Sequence, residues 1–168
     1  MKHDPYISFL TSIQWGIDDT PPPDVAQADW LLEQGSMTRR FEQHCRQVTI
    51  HRCREGYVPA SAIGREMALL PACDSYWLRE VILYGDGKPW LAGRTLIAAS
   101  DLVGAEWALT SLGDQPLGKW LFRGDVPVRD YIQLGKMNSL WARRSCFRPS
   151  GKSLLLTELF LPDAPLYR

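Results

Sequence analysis

Two charged side chains interrupt otherwise apolar strand faces in this sequence, and they are its best candidates for ligand chemistry. In residues 75–84 the alternation of a strand places Arg79 in line with apolar neighbours, and in residues 153–161 it does the same for Glu158. A buried, unpaired charge is costly, so each residue needs a partner, which is either the other residue or a polar ligand. A cation and an acid between apolar walls suit a small carboxylated molecule.

Each of these charges has a functional and a structural interpretation. The planar guanidinium of Arg79 can hold a carboxylate through two parallel hydrogen bonds, but an ion pair with Glu158 explains it equally well. Glu158 can accept a hydrogen bond, act as a general acid or base, or serve a structural role. Arg94 also interrupts an apolar face and binds either a second carboxylate or a buried structural partner. The sequence leaves these alternatives open.

Several other residues are weaker candidates. Met37 opens a short helix, and methionine adapts to the irregular wall of a ligand cavity as readily as to a core. Leu117 lies in a bend between a proline and a glycine, where its side chain can cover a pocket or simply the core. Arg143, Arg144 and Arg148 form a local basic patch, which we interpret as a solvated strand edge.

The composition is that of an ordinary globular domain and excludes several classes of protein. The chain has 168 residues, of which 45% are hydrophobic, and its 19 basic and 19 acidic residues leave no basic excess for binding nucleic acid. Neither the histidines nor the scattered cysteines have the spacing of metal ligands, and the four cysteines predict reduced thiols in the cytosol. No apolar run resembles a signal peptide or a membrane span.

The pattern along the chain predicts one α+β domain with a six-stranded antiparallel sheet. The clearest feature is a hairpin around Asp86-Gly87, a dipeptide typical of tight turns between strands. Asp24 and Ser36 each precede a helical pattern as N-caps. The predicted strands cover 47–58, 75–84, 89–98, 126–136, 140–147 and 153–161, and the predicted helices cover 24–34, 37–44 and 101–112.

Six ordered segments carry a more specific signal than any single residue. They are Asp29-Trp30-Leu31-Leu32, Ser36-Met37-Thr38-Arg39-Arg40-Phe41-Glu42-Gln43, Tyr76-Trp77-Leu78-Arg79-Glu80, Pro89-Trp90-Leu91-Ala92-Gly93-Arg94-Thr95, Pro116-Leu117-Gly118, and Ser150-Gly151-Lys152 with the strand up to Pro162. Together they resemble the chorismate pyruvate-lyase (4-hydroxybenzoate synthase) family over about residues 29–167. We predict a single domain, 1–168, of this kind, in which residues 1–28 match the family poorly. Two further departures are Ala142, where the family usually has glycine, and Pro149, where it usually has an aliphatic residue.

The resemblance implies a lyase that converts chorismate to 4-hydroxybenzoate and pyruvate, without a cofactor, in the first committed step of ubiquinone biosynthesis. It implies helical flaps over a buried pocket and strong retention of the product. The implied ligand contacts are Met37, Arg79, Leu117 and Glu158, with Arg79 and Glu158 as the catalytic residues. We expect a cytoplasmic monomer with no membrane span and no nucleic-acid partner. The rival hypothesis is a binding module that holds 4-hydroxybenzoate without consuming chorismate.

Overall fold

The computed structural model describes residues 5–16, 22–124 and 126–168. The helices are α1 (Pro5–Phe9), α2 (Val25–Leu31), α3 (Met37–Glu42) and α4 (Leu117–Leu121). The strands are β1 (Gln14–Trp15), β2 (Val48–Pro59), β3 (Ser75–Gly85), β4 (Lys88–Ala98), β5 (Arg129–Met137), β6 (Leu140–Phe147) and β7 (Leu154–Phe160). Short 3₁₀ helices span Ala60–Ala62, Gly64–Leu69, Ala99–Asp101, Gly104–Ser111, Pro149–Gly151 and Pro165–Tyr167.

Local capping chemistry sets where α2 and α3 begin. The carboxylate of Asp24 accepts a hydrogen bond from the Gln27 N–H, and the Gln27 side chain accepts one from the Asp24 N–H, which completes a capping box. The Ser36 hydroxyl accepts a hydrogen bond from the Arg39 N–H at the start of α3. Both predicted caps are therefore confirmed.

The strands form one antiparallel sheet in the order β1-β5-β6-β7-β4-β3-β2, so the class predicted from the sequence is confirmed. The predicted number of six strands was wrong, because β1 adds a seventh strand along β5. In the described part of the chain β1 consists of Gln14 and Trp15, opposite Lys136 and Gly135. A strand of two residues is too short to show the alternation of apolar and polar side chains by which a strand is recognised in a sequence.

The sheet packs on both of its faces. On one face, which we call the site face, apolar residues of α2, α3 and α4 pack on the sheet in two clusters; they include Trp30, Leu31, Met37, Phe41, Leu117, Trp120 and Leu121. On the opposite face, Ile7, Leu10 and Ile13 of the N-terminal segment pack against strand residues such as Ile82 and Leu159. No helix within residues 5–16, 22–124 and 126–168 is long and apolar enough to cross a membrane. The site face is the one that carries the candidate residues.

Candidate functional site

A cavity of about 70 Å³ lies between the site face of the sheet and helices α3 and α4. The four residues singled out from the sequence, Met37, Arg79, Leu117 and Glu158, all border it. Its other walls are mostly apolar, with Val81, Leu83, Leu91, Leu121, Phe147 and Leu156 among them. The fold therefore gathers residues that lie up to 121 positions apart in the sequence around one cavity. Their role in binding a ligand stays a prediction.

Arg79 is the deepest cation on the β3 side of the cavity, with only 2% of its surface exposed. Its Nη2 donates hydrogen bonds to the carbonyls of Gly113 at 3.2 Å and Gln115 at 2.7 Å, and its Nε lies 3.3 Å from Glu55 Oε2. Burial lowers the pKa of Arg79, and the charge of Glu55 opposes that shift. Among the described residues no hydrogen bond uses Nη1, which leaves this nitrogen for a ligand.

Glu158 lies on β7 at the other end of the cavity and is 4% exposed. Its Oε1 accepts a hydrogen bond of 2.8 Å from Nε of Arg143. From the sequence we expected Arg79 and Glu158 to pair either with each other or with a ligand. The structure shows a third arrangement, in which each pairs with another residue of the protein. Each has a separate protein partner, Glu55 for the arginine and Arg143 for the glutamate. Within the described part of the chain, Oε2 of Glu158 carries no hydrogen bond.

Arg143 is buried and borders the cavity. The prediction that it lies at a solvated strand edge was therefore wrong. It is 1% exposed, and its Nη1 donates to the carbonyls of Leu31 at 3.2 Å and Glu33 at 2.8 Å. One guanidinium therefore holds Glu158 in place and satisfies carbonyls at the end of α2. Arg144, the next residue, points to the opposite face, as strand alternation requires.

Strand register keeps Arg79 and Glu158 well apart. Arg79 is paired with Thr95 and Glu158 with Gly93, so the two residues lie on strands separated by β4 and are offset by two positions. With strands about 4.8 Å apart and about 3.4 Å per residue, their Cα atoms are roughly 12 Å apart. Gly93 has no side chain to fill the floor between them. The register therefore places the two charges at separate ends of the cavity.

Met37 and Leu117 are the first residues of α3 and α4 and contribute apolar walls to the cavity. The two helices approach closely at Gly118, where an added Cβ would lie 3.0 Å from Ser36 Oγ and 3.2 Å from Thr38 Oγ1. Glycine is thus suited to this contact because it has no side chain. We call α3 and α4 together the roof of the cavity.

Arg94 lies outside the cavity, on the opposite face of the sheet. Its Nε and Nη2 donate to the carboxylate of Glu66 at 2.8–3.2 Å, and its Nη1 donates to Glu80 at 2.9 Å. Burial lowers the pKa of Arg94, but the hydrogen bonds and charges of the two glutamates outweigh burial and raise it. Of the two alternatives left open for Arg94, the structural partner is therefore the one observed.

Arg129 borders the cavity and was missed from the sequence. Its guanidinium carbon lies 4.4 Å from the centre of the Phe147 ring, and its Nη1 donates to Glu33 O and Ser145 Oγ, both at 3.3 Å. The pairing of β5 with β6 shifts register between Arg129 and Ile132. Because the shift breaks strict alternation, counting along the strand gives no signal for the direction of this side chain.

Comparison with known proteins identifies close relatives. The family model described as "Chorismate lyase" matches residues 10–168. A protein named chorismate pyruvate-lyase from Yersinia enterocolitica is 52% identical over 95% of this chain and 95% of its own length. Proteins with the same name from Serratia proteamaculans and Sodalis glossinidius are 51% and 49% identical, over 95% and 99% of this chain and 92% and 95% of theirs. A solved structure of a possible transcriptional regulator from Bacillus subtilis is 10% identical over 93% of this chain and 90% of that chain, with a TM-score of 0.48, which is too weak a likeness to bear on function.

We predict that Arg143→Met destabilises the protein by leaving Glu158 as a buried, unpaired charge. Removing one member of a buried ion pair costs about 3–5 kcal/mol of the free energy of unfolding, measured by urea denaturation. The matched control is the double variant Arg143→Met with Glu158→Gln, which loses the same contacts to Leu31 and Glu33 but leaves no unpaired carboxylate. The double variant should recover part of the loss. Equal losses in both proteins would contradict the ion pair as the cause.

Proposed function

The chain belongs to the chorismate lyase family, and from that membership we propose that it converts chorismate to 4-hydroxybenzoate and pyruvate. The observation that carries the proposal is the identity of 49% to 52% with relatives named chorismate pyruvate-lyase over at least 95% of this chain. The cavity supports it, since Arg79 and Glu158 offer a cation and a hydrogen-bond acceptor at opposite ends of a mostly apolar space.

The chemistry makes modest demands on the protein. Chorismate carries a ring carboxylate, an enolpyruvyl ether and a hydroxyl on the carbon next to the ether. Breaking the ether bond to the ring and removing the hydrogen from the hydroxyl-bearing carbon leaves an aromatic ring, so the reaction is downhill. The hydrogen ends on the methyl group of pyruvate, either directly through a cyclic transition state or by way of a base. The main task of the protein is to hold the substrate in a reactive geometry.

We propose that Arg79 binds the ring carboxylate. Its Nη2 is occupied by the carbonyls of Gly113 and Gln115, its Nε lies beside Glu55 without a hydrogen bond, and Nη1 is left for the substrate. The Leu117 N–H lies at the start of α4, where helical N–H groups have no partner inside the helix, and it is a second donor for the same carboxylate.

We propose that Glu158 binds the substrate hydroxyl and orients it. Arg143 occupies Oε1 and fixes the carboxylate, so Oε2 is the acceptor. Direct transfer of the ring hydrogen to the methylene carbon of the enolpyruvyl group needs no protein base. In this mechanism Glu158 acts by positioning the substrate, and Met37 and Leu117 act as apolar walls that exclude water.

We propose that the roof acts as a pair of helical flaps that open for the substrate and retain the product. The chemistry of the product supports strong retention, because 4-hydroxybenzoate keeps both the carboxylate and the hydroxyl that the site would bind. We also propose that the product enters ubiquinone biosynthesis and that the protein is a cytoplasmic monomer. The four free cysteines, Cys45, Cys53, Cys73 and Cys146, favour a reducing compartment.

The direct test is incubation of the purified protein with chorismate, without added metal or cofactor, following 4-hydroxybenzoate and pyruvate together. We expect both products in equal amounts and in excess of the protein. If 4-hydroxybenzoate binds but chorismate is not consumed, the proposal fails and the chain is a binding module.

A second prediction concerns Arg79→Ala. The substrate carboxylate would lose its charged partner and keep the Leu117 N–H as a donor, so the affinities for chorismate and 4-hydroxybenzoate should both fall by about 2–5 kcal/mol, measured by calorimetry and by KM. Arg54→Ala is the control, since Arg54 is 58% exposed on the neighbouring strand. Circular dichroism checks that both variants are folded. Unchanged binding of 4-hydroxybenzoate by the Arg79 variant would defeat the assignment.

A third prediction separates positioning by Glu158 from proton transfer. In Glu158→Gln the amide oxygen stays with Arg143, and the amide NH2 that replaces Oε2 can still hold the substrate by donating to its hydroxyl oxygen. We therefore expect kcat to fall by no more than about tenfold, whereas loss of an acid–base group costs ~10²–10⁴-fold. For the unaltered protein in D₂O, direct transfer predicts pyruvate with an undeuterated methyl group at early times. Deuterium in that methyl group together with a large loss of kcat would establish proton transfer through Glu158.

A further inference from the structure

The cavity has more positive than negative charge at its Glu158 end. Arg129 and Arg143 both donate a hydrogen bond to the same carbonyl oxygen, that of Glu33, so their guanidinium groups lie close together. Glu158 pairs with Arg143. Among the ion pairs of the described residues, none includes Arg129. This end of the cavity therefore holds two cations and one paired acid.

The contacts of Arg129 are those of a cation without its anion. Its hydrogen bonds go to a backbone carbonyl and to the hydroxyl of Ser145, both long at 3.3 Å, and its Nε is buried with no hydrogen-bond partner. The ring of Phe147 packs on the guanidinium plane and fixes its orientation. A buried donor that is left unsatisfied costs free energy, which a ligand can recover by accepting its hydrogen bond.

The acids that face Arg129 are Glu33 and Glu158, and both are engaged elsewhere. The Glu33 carboxylate accepts hydrogen bonds from the Gly35 N–H at 3.0 Å and from Arg40 Nη1 at 3.4 Å. Burial first, and then the positive charge of Arg143, lower the pKa of Arg129 to about 10. Arg129 thus stays a cation at neutral pH, although its surroundings favour the charge less than water does.

We propose that Arg129 binds the carboxylate of the enolpyruvyl group of chorismate; the assignment rests on the proposed function. The ether oxygen is attached to the ring carbon next to the one that carries the hydroxyl. If Glu158 holds the hydroxyl and Arg79 holds the ring carboxylate, the enolpyruvyl group lies at the Glu158 end. The cation without an acidic partner at that end is Arg129.

This assignment gives Arg129 a role in telling substrate from product. Chorismate has two carboxylates, whereas 4-hydroxybenzoate has one, which Arg79 binds. When the ether bond breaks, the second carboxylate leaves with pyruvate. Arg79 therefore contributes to binding of both molecules, and Arg129 contributes only to binding of the substrate.

The test compares two ligands that differ by the second carboxylate. The first is 4-hydroxybenzoate, and the second is 3-(carboxymethoxy)-4-hydroxybenzoate, an unreactive analogue with a carboxylate on an ether at the same ring position. Calorimetry gives both affinities for the unaltered protein and for Arg129→Gln. We expect Arg129→Gln to weaken binding of the analogue by roughly 30-fold or more and to change binding of 4-hydroxybenzoate by less than about threefold. Its KM for chorismate should rise in parallel with the loss for the analogue.

Arg144→Gln is the matched control, because Arg144 is also half-buried and its guanidinium stacks on an aromatic ring at 4.3 Å, but it lies on the opposite face. Like Arg129, it forms no ion pair with any residue that the structure describes. Arg144→Gln should leave both affinities unchanged, and Arg129→Lys should restore part of the analogue binding. The assignment would be overturned if Arg129→Gln weakened the affinities for both ligands equally, or left the affinity for the analogue unchanged. It would also be overturned if the unaltered protein bound 4-hydroxybenzoate but not the analogue. An unaltered protein that binds both ligands but forms no product from chorismate would contradict only the proposed function.

Discussion

Charge buried between a sheet and its covering helices is the constraint on which this structure depends. Arg79 and Arg143 are almost fully buried, and each is stabilised by one carboxylate and two backbone carbonyls. The carbonyls that Arg79 binds, at positions 113 and 115, lie just before α4. Those that Arg143 binds, at positions 31 and 33, lie at the end of α2 and in the loop that leads to α3. The same charges that face the cavity therefore also hold the segments that lead into its roof.

This arrangement links ligand binding to the position of the roof. A carboxylate that bonds to Arg79 acts on the guanidinium that holds the segment leading into Leu117. A hydroxyl that bonds to Glu158 acts on the carboxylate that orients Arg143, and through it on the end of α2. If the roof opens and closes as proposed, a ligand that binds better to the closed form stabilises that form by the difference in affinity.

Strand alternation predicted the inward charges where pairing is regular and failed where it is not. β4 and β7 pair without a register shift, and Glu158 was found by counting along β7. The partner of Arg79 is Glu55, which lies beyond a register shift in β2, and Arg129 lies beside another in β5. The alternation of side chains along a strand also does not show which face of the sheet is covered by helices. For that reason Arg143 was predicted to be solvated. Its burial depends on α2, which is distant in sequence.

The capped helices and the hairpin were predictable because their signals are local, as with Asp24, Ser36 and Asp86. β1 was not, since its two residues are held by packing of the N-terminal segment on the sheet. The resemblance to a family supplied what local rules could not: the association of Met37, Arg79, Leu117 and Glu158 in one site. The structure adds to that set the residues that hold it in place, Glu55 and Arg143.

The measurement that tests this account most directly is a crystal structure of the protein with 4-hydroxybenzoate. We expect one molecule in the cavity beneath the roof, with its carboxylate on Arg79 and its hydroxyl on Glu158 Oε2, while the ion pair between Arg143 and Glu158 is kept. A ligand bound in the reverse orientation, or outside this cavity, would contradict the central claim that the two buried charges define the two ends of the site.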